Sequence, residues 1–259
     1  MIVKIERGKK YSAQEAKAIV DGLYAKVRER WEVRVNQKPF MQQLMAGKLP
    51  HKTLQVFFRN WGAYTIEINT LTACTYHKNI AFLKVNRDLM GPLGEKIADE
   101  FIHPKPPGHF LVMMETAKAF GLSEEEVFTS SMLSEFRGKI DFMRGIVYEG
   151  TAAEWYSAVT TEEQIGYWSA DCYKALTTHY GFDRAKATYF ATHVEADLAE
   201  HEEGVMGHAS FNRMALRRLL ETGMAEERPT YGLEYCAMTS VDLHGAMLRA
   251  ALEEAERVN

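Results

Sequence analysis

Between Lys52 and Ala81 the residues Phe57, Trp61, Tyr64, Ile68, Leu71 and Thr75 recur at three- and four-residue steps. That spacing lines one face of an α-helix, and a helix of such length must bury its stripe against other elements. The same periodicity returns through most of the chain, and two-residue alternation is rare. An all-α protein is expected.

The punctuation agrees. Ser12 and Glu15 form a capping box, each side chain serving an orphan amide of the other's turn, so a helix should run from there to about Arg30. Further helical stretches are expected over Lys38–Gly47 and Leu93–Phe101. His103-Pro104-Lys105-Pro106-Pro107-Gly108 then stops any helix. A new one should open near His109 and end at Gly121, followed by a second capping box at Ser123 and Glu126. The remaining helices are read at 131–149, 152–180, 184–204, 209–224 and 232–256. The connections are short and no repeat is visible, so residues 1–259 read as one domain.

Composition excludes several classes. The net charge is -4 and no lysine or arginine cluster dominates, which argues against nucleic acid or an acidic membrane as the main partner. The three cysteines, Cys74, Cys172 and Cys236, are scattered and odd in number, unlike a disulfide framework or a cysteine zinc site. No apolar run reaches the roughly 20 residues that span a bilayer. The opening MIVKIERGKKYS lacks the apolar core of a signal peptide. A cytoplasmic protein is expected.

Candidate chemistry sits in four places. His193, Asp197, Glu200 and His201 fall within one ~120° sector of a helix, and imidazole and carboxylate on one face suit iron, manganese or zinc; a solvated polar face is the alternative. Asp99 and Glu100 end one helix and His109 begins the next, so a rigid turn can bring Glu100 to His109. Glu149 closes an apolar helix after Ile146 and Val147, where an acid must face solvent or find a cation. Glu67 stands in a stretch otherwise empty of charge, and a lone buried carboxylate there implies a metal, a basic partner or a substrate. Glu67, Glu100, Glu149 and Asp197 would offset two divalent ions, with His109 and His193 adding nitrogen donors. A Glu-x-x-His pair, which ferritin-like bundles use twice, occurs only at Glu100 and His103.

These residues resemble the PqqC/TenA group, whose fold is the haem-oxygenase-like helical bundle, and within it the non-haem di-metal oxidases and oxygenases of UndA and CADD type. The resemblance covers roughly residues 38 to 210, including Pro39-Phe40-Met-Gln-Gln-Leu-Met-Ala-Gly47 and the turn Phe120-Gly121-Leu-Ser-Glu-Glu-Glu-Val. It implies metal ligation by Glu100, His109, Glu149, His193, Asp197 and Glu67. The CADD-like pattern places a histidine three residues after the Asp; here that position is Glu200 with His201 one step on, and both stay candidates. Met41 stands where CADD-type enzymes carry a sacrificed tyrosine.

The resemblance further implies two Fe(II) ions, with manganese as the alternative metal, O2 as co-substrate and a small-molecule substrate. It leaves room for an external reductant and a homodimer. Tyr148 and Tyr189 flank the ligands and are the candidate catalytic tyrosines. Trp61 and Tyr64 are candidates to line the cavity. Two other classes stay open: a metal-free PqqC-like oxidase or TenA-like hydrolase of a cofactor precursor, and a binding protein without catalysis.

Overall fold

The computed structural model of the chain describes residues 4–103, 105–198 and 207–257, the last four of the middle stretch by backbone alone. Helix α1 (Ala13–Trp31) opens on the expected capping box: Ser12 Oγ accepts the Glu15 N–H and Glu15 Oε2 accepts the Ser12 N–H. Ala16, Val20, Leu23, Val27 and Trp31 form its buried stripe. A five-residue π-helical segment, Glu32–Asn36, leads to α2 (Pro39–Met45), where Pro39 supplies the preset φ of a first turn. Helix α3 (His51–Lys78) runs through the middle of the molecule. The short α4 (Ile80–Val85) and α5 (Met90–Phe101) follow.

Helix α6 (His109–Ala119) ends before Gly121, which adopts φ +81°, the left-handed conformation of a helix-ending glycine. The Ser123–Glu126 capping box opens α7 (Glu124–Thr129), and α8 (Ser134–Glu149) follows. The single helix expected over 152–180 is two. α9 (Ala152–Ala158) and α10 (Glu162–His179) are separated by a 3₁₀ turn at Val159–Thr161. The hydroxyls of Thr160 and Thr161 donate to the carbonyls of Ser157 and Ala158, local bonds that compete with a continuing helix. α11 (Thr188–Leu198), α12 (His208–Thr222) and α13 (Leu233–Arg257) complete the chain.

Among the described residues no strand forms; Arg228 and Tyr231 make one isolated bridge. No described helix is long and apolar enough to cross a membrane.

α3 packs against α5, α6, α8 and α13, and α11 lies against α6, α10 and α12. An aromatic stack fills the centre. The Trp61 ring lies 5.3 Å from Phe57 and 5.4 Å from Trp168, and Phe58 stacks on Phe120 at 4.4 Å. Phe57 and Phe58 are 1% exposed, so truncating either to alanine should cost about 3–5 kcal/mol. This rigid centre fixes the ends of α5, α6, α10 and α12 relative to α3, and the polar cluster stands at those ends.

Candidate metal centre and cavity

Gly108 sets the geometry at the end of α5. Its φ is +72°, and a Cβ there would stand 2.3 Å from the Glu100 carbonyl oxygen. Only glycine fits, and this close approach brings His109, the first residue of α6, back onto α5. His109 Nδ1 lies 3.0 Å from Glu100 Oε2, with the imidazole 3% and the carboxylate 13% exposed.

Two further imidazoles complete the cluster. The His193 ring on α11 lies 4.7 Å from the His109 ring, and the His208 ring at the start of α12 lies 6.3 Å from it. Both rings have a nitrogen bonded to a neighbouring element or turn. His193 Nδ1 is 3.0 Å from the Tyr189 carbonyl oxygen, and His208 Nε2 is 3.1 Å from Asp99 Oδ2. A carbonyl or an ionised carboxylate only accepts, so the anchored nitrogen carries the hydrogen.

Electrostatics follow the packing. Burial alone would raise the Glu100 carboxyl, but the His109, His208 and His193 rings outweigh it and hold it down at about 2. Asp99 is likewise lowered, burial being outweighed by hydrogen bonds from His208 and His103. Burial pushes the Tyr189 and Tyr64 phenols up, so both stay protonated. Tyr189 Oη accepts the Trp61 indole N–H at 2.7 Å.

These groups border a cavity of about 90 Å³, lined by Trp61, Tyr64, Asn69, Glu100, Glu162 and His193 among others. Glu162 opens α10 and accepts from the Lys96 ammonium and, at 2.6 Å, from Asn212 Nδ2. Asn69 and Thr72 also line the cavity, 7% and 8% exposed, with no side-chain hydrogen bond among the described residues.

Of the residues singled out in the sequence, the structure brings Glu100, His109, His193 and Tyr189 together. It does not bring Glu67, Glu149 or Tyr148 to them. Glu67 is 42% exposed and forms a two-pronged ion pair with Arg137 of α8, at 2.6 and 2.7 Å. Its partner comes from 70 residues away, so the apparent isolation of its charge was only local. Glu149 ends α8 with its side chain 79% exposed, 4.0 Å from Arg228. Tyr148 is 64% exposed and its carbonyl accepts from Lys78. Both follow the last buried turn of α8, Ile146 and Val147, and face outward. His103 bonds Asp99 at 3.0 Å, so the Glu-x-x-His pair does not close on Glu100. The Asp197 side chain, Glu200 and His201 lie outside the described residues.

Sequence reasoning missed Lys96, Glu162, His208 and Asn212. His208, a histidine opening a helix just after a glycine as His109 does, was the available signal.

The donor set suits a divalent metal. Carboxylate oxygen and imidazole nitrogen fit iron, manganese or zinc, and His193 and His208, held by a carbonyl and by the Asp99 carboxylate, are oriented as metal-binding histidines are. Among the described residues no three such side chains already surround one point closely enough to hold an ion. Glu100, His109 and His193 are the described residues best set to hold one, Glu100 and His109 through the oxygen and nitrogen that now bond each other at 3.0 Å.

A family model described as TENA/THI-4/PQQC matches residues 24–207. No curated protein sequence matches the chain. Solved structures match along nearly the whole length. A domain of unknown function with a heme oxygenase-like fold from Shewanella denitrificans OS217 is 15% identical, with 92% of this chain and 93% of that one covered and a TM-score of 0.68. The TenA homologue from P. horikoshii OT3 is 16% identical, with 90% and 97% covered and a TM-score of 0.63. A CADD-like protein of unknown function from Nostoc punctiforme PCC 73102 is 12% identical, with 93% and 97% covered and a TM-score of 0.63. At such identities the likeness is one of fold, and the fold is the haem-oxygenase-like helical bundle.

Proposed function

The chain belongs to the TENA/THI-4/PQQC family, and from that premise we propose that it is an iron-dependent enzyme that activates O2 and oxidises or oxygenates a small molecule. The reading is carried by one observation: three imidazoles gathered around the nearly buried carboxylate of Glu100. Glu100, His109 and His193 would hold the metal, and Asp197, Glu200 and His201 remain candidates by spacing. When bound, iron supplies the electrons for reducing O2, chemistry that no side chain offers.

The protein's own residues prepare the rest. Trp61, Tyr64, Ile68 and Ile165 wall the cavity and exclude water. Asn69 and Thr72 offer donors and acceptors to a polar group of the substrate. The protonated Tyr189, braced by Trp61, fixes the helix turn whose carbonyl orients His193.

A second reading, a metal-free oxidase or hydrolase of the same family, also has an observation behind it. Glu100 and His109 already pair directly at 3.0 Å. In that enzyme Glu100 orients His109, and the imidazole takes or gives the proton.

Anaerobic loading with Fe(II), removal of excess and an iron count on wild type and His193→Ala separates the two. Iron retained by wild type and lost from the variant supports the first reading. No iron on a folded wild type, shown by unchanged helical circular dichroism, moves the second to the front.

A further inference from the structure

Three of the four tryptophans stand in one row that starts at the cavity and ends in α1. Trp61 walls the cavity. Its indole N–H is bonded to Tyr189, whose ring lies 4.1 Å from that of the candidate ligand His193. From Trp61 the row runs 5.4 Å to Trp168 on α10, 5.2 Å from there to His244 on α13, and 4.6 Å on to Trp31. His244 also lies 5.5 Å from Trp61 directly. Trp31 is buried, but Arg28, Glu29, Glu32 and Val33 beside it in the chain are exposed, so it sits on the inner face of a segment whose outer face is in solvent.

Packing alone does not ask for indoles here. The adjoining core is built from Phe57, Phe58, Phe120 and Phe190, rings that give up electrons reluctantly. Indole gives up an electron far more readily, and without at once releasing its N–H proton. Electron transfer weakens steeply with distance, and ring-to-ring contact keeps each step short. A site that reduces O2 has a use for such an outlet. Reducing O2 to water takes more electrons than bound Fe(II) supplies, and the substrate makes up the difference. When O2 reacts with no substrate bound, the site is left short of electrons and oxidises what lies nearest, which includes His193 and Tyr189.

We propose that Trp61, Trp168 and Trp31, bridged by His244, form an electron relay that discharges the site when O2 is reduced without substrate. The inference rests on the metal-centred reading above. Trp61 gives one electron toward the metal and is refilled from the outer side, which leaves the deficit on Trp31. A soluble one-electron reductant, a thiol or ascorbate, then returns the electron to Trp31 and releases its own proton to solvent. No bond in the protein forms or breaks.

The test loads the full chain anaerobically with Fe(II), removes the excess, exposes it to O2 with no substrate or reductant, and locates oxidised tryptophans by peptide mass spectrometry. Trp155 is the internal control. It lies outside the row and, at 5% against 1%, is more exposed than Trp31, so an oxidant arriving from solvent would strike it first. Trp31 should gain oxygen several-fold more than Trp155, and several-fold more than in iron-free protein aerated alike. Ascorbate should suppress that gain. Trp31→Phe should keep its iron and move the oxidation back to Trp168 or Trp61. Trp61→Phe, compared at equal iron, should bring Trp31 down to the iron-free level; if that variant does not fold, Trp31→Phe still decides. An iron-loaded wild type with Trp31 no more oxidised than Trp155, a Trp31→Phe protein with Trp61 and Trp168 unmarked, or Trp31 still oxidised in Trp61→Phe would each overturn the relay and leave a metal enzyme intact. No iron in wild type would overturn the metal-centred reading itself, and the relay with it.

Discussion

Replacing His244 with methionine should remove an acid sensitivity built into the core. His244 lies on α13, 1% exposed, with its ring 4.6 Å from Trp31, 5.2 Å from Trp168 and 5.5 Å from Trp61. Its Nε2 has no hydrogen-bond partner among the described residues. Burial, helped by the nearby Lys139 ammonium, pushes its pKa down to about 3. The folded state thus refuses a proton that the unfolded chain accepts near its ordinary value of 6.5. Stability is full above pH 6.5 and falls as pH drops from there toward 3. Between pH 7 and pH 5 this one group removes about 2 kcal/mol. Lys139 is likewise held down, to about 7, by burial, so it is mostly charged by pH 5 in both proteins. All four tryptophans are buried, so their emission reports unfolding. Urea denaturation at pH 7 and pH 5 should show wild type losing about 2 kcal/mol more than His244→Met. Titrations common to both proteins cancel in that difference. Equal losses would refute the account of His244 as a ring kept neutral by its surroundings.

Two other perturbations address the site's architecture. Gly108→Ala puts a Cβ 2.3 Å from the Glu100 carbonyl and strains a φ of +72°. It should cost at least about 1–2 kcal/mol and weaken iron retention, read by thermal melting and an iron count, because His109 can no longer approach Glu100. Gly138→Ala, in open space within α8, is the contrasting case and should stabilise by about 0.5–1 kcal/mol in the same melt. Glu67→Gln and Glu149→Gln should leave the iron count unchanged and each cost less than about 1 kcal/mol, since both acids sit in exposed ion pairs; loss of iron from either would return that residue to the site.

The fold was legible wherever the signal is local. The boxes at Ser12–Glu15 and Ser123–Glu126, the stripe along α3 and the helix-ending Gly121 depend on neighbours within a few positions, and they appear where spacing puts them. The break at Val159–Thr161 was not legible, because the apolar pattern continues across it and only the threonine hydroxyls divert the backbone. That break is what turns Glu162 toward the cavity. In sequence Glu162 reads as one more acid complementing the start of a helix. Lys96 similarly reads as an ordinary helix lysine. Glu67 failed in the opposite direction: its neighbours in sequence are uncharged, but Arg137 reaches it across a helix interface. Glu100 and His109 were found because one tight turn connects them, a relation that sequence records.

The most direct test of the metal-centred account is anomalous diffraction at the iron edge from crystals of the Fe(II)-loaded protein. The account predicts an iron peak bonded to Glu100, His109 and His193. A folded, iron-loaded protein with its peak elsewhere, or with no peak at these side chains, would contradict it.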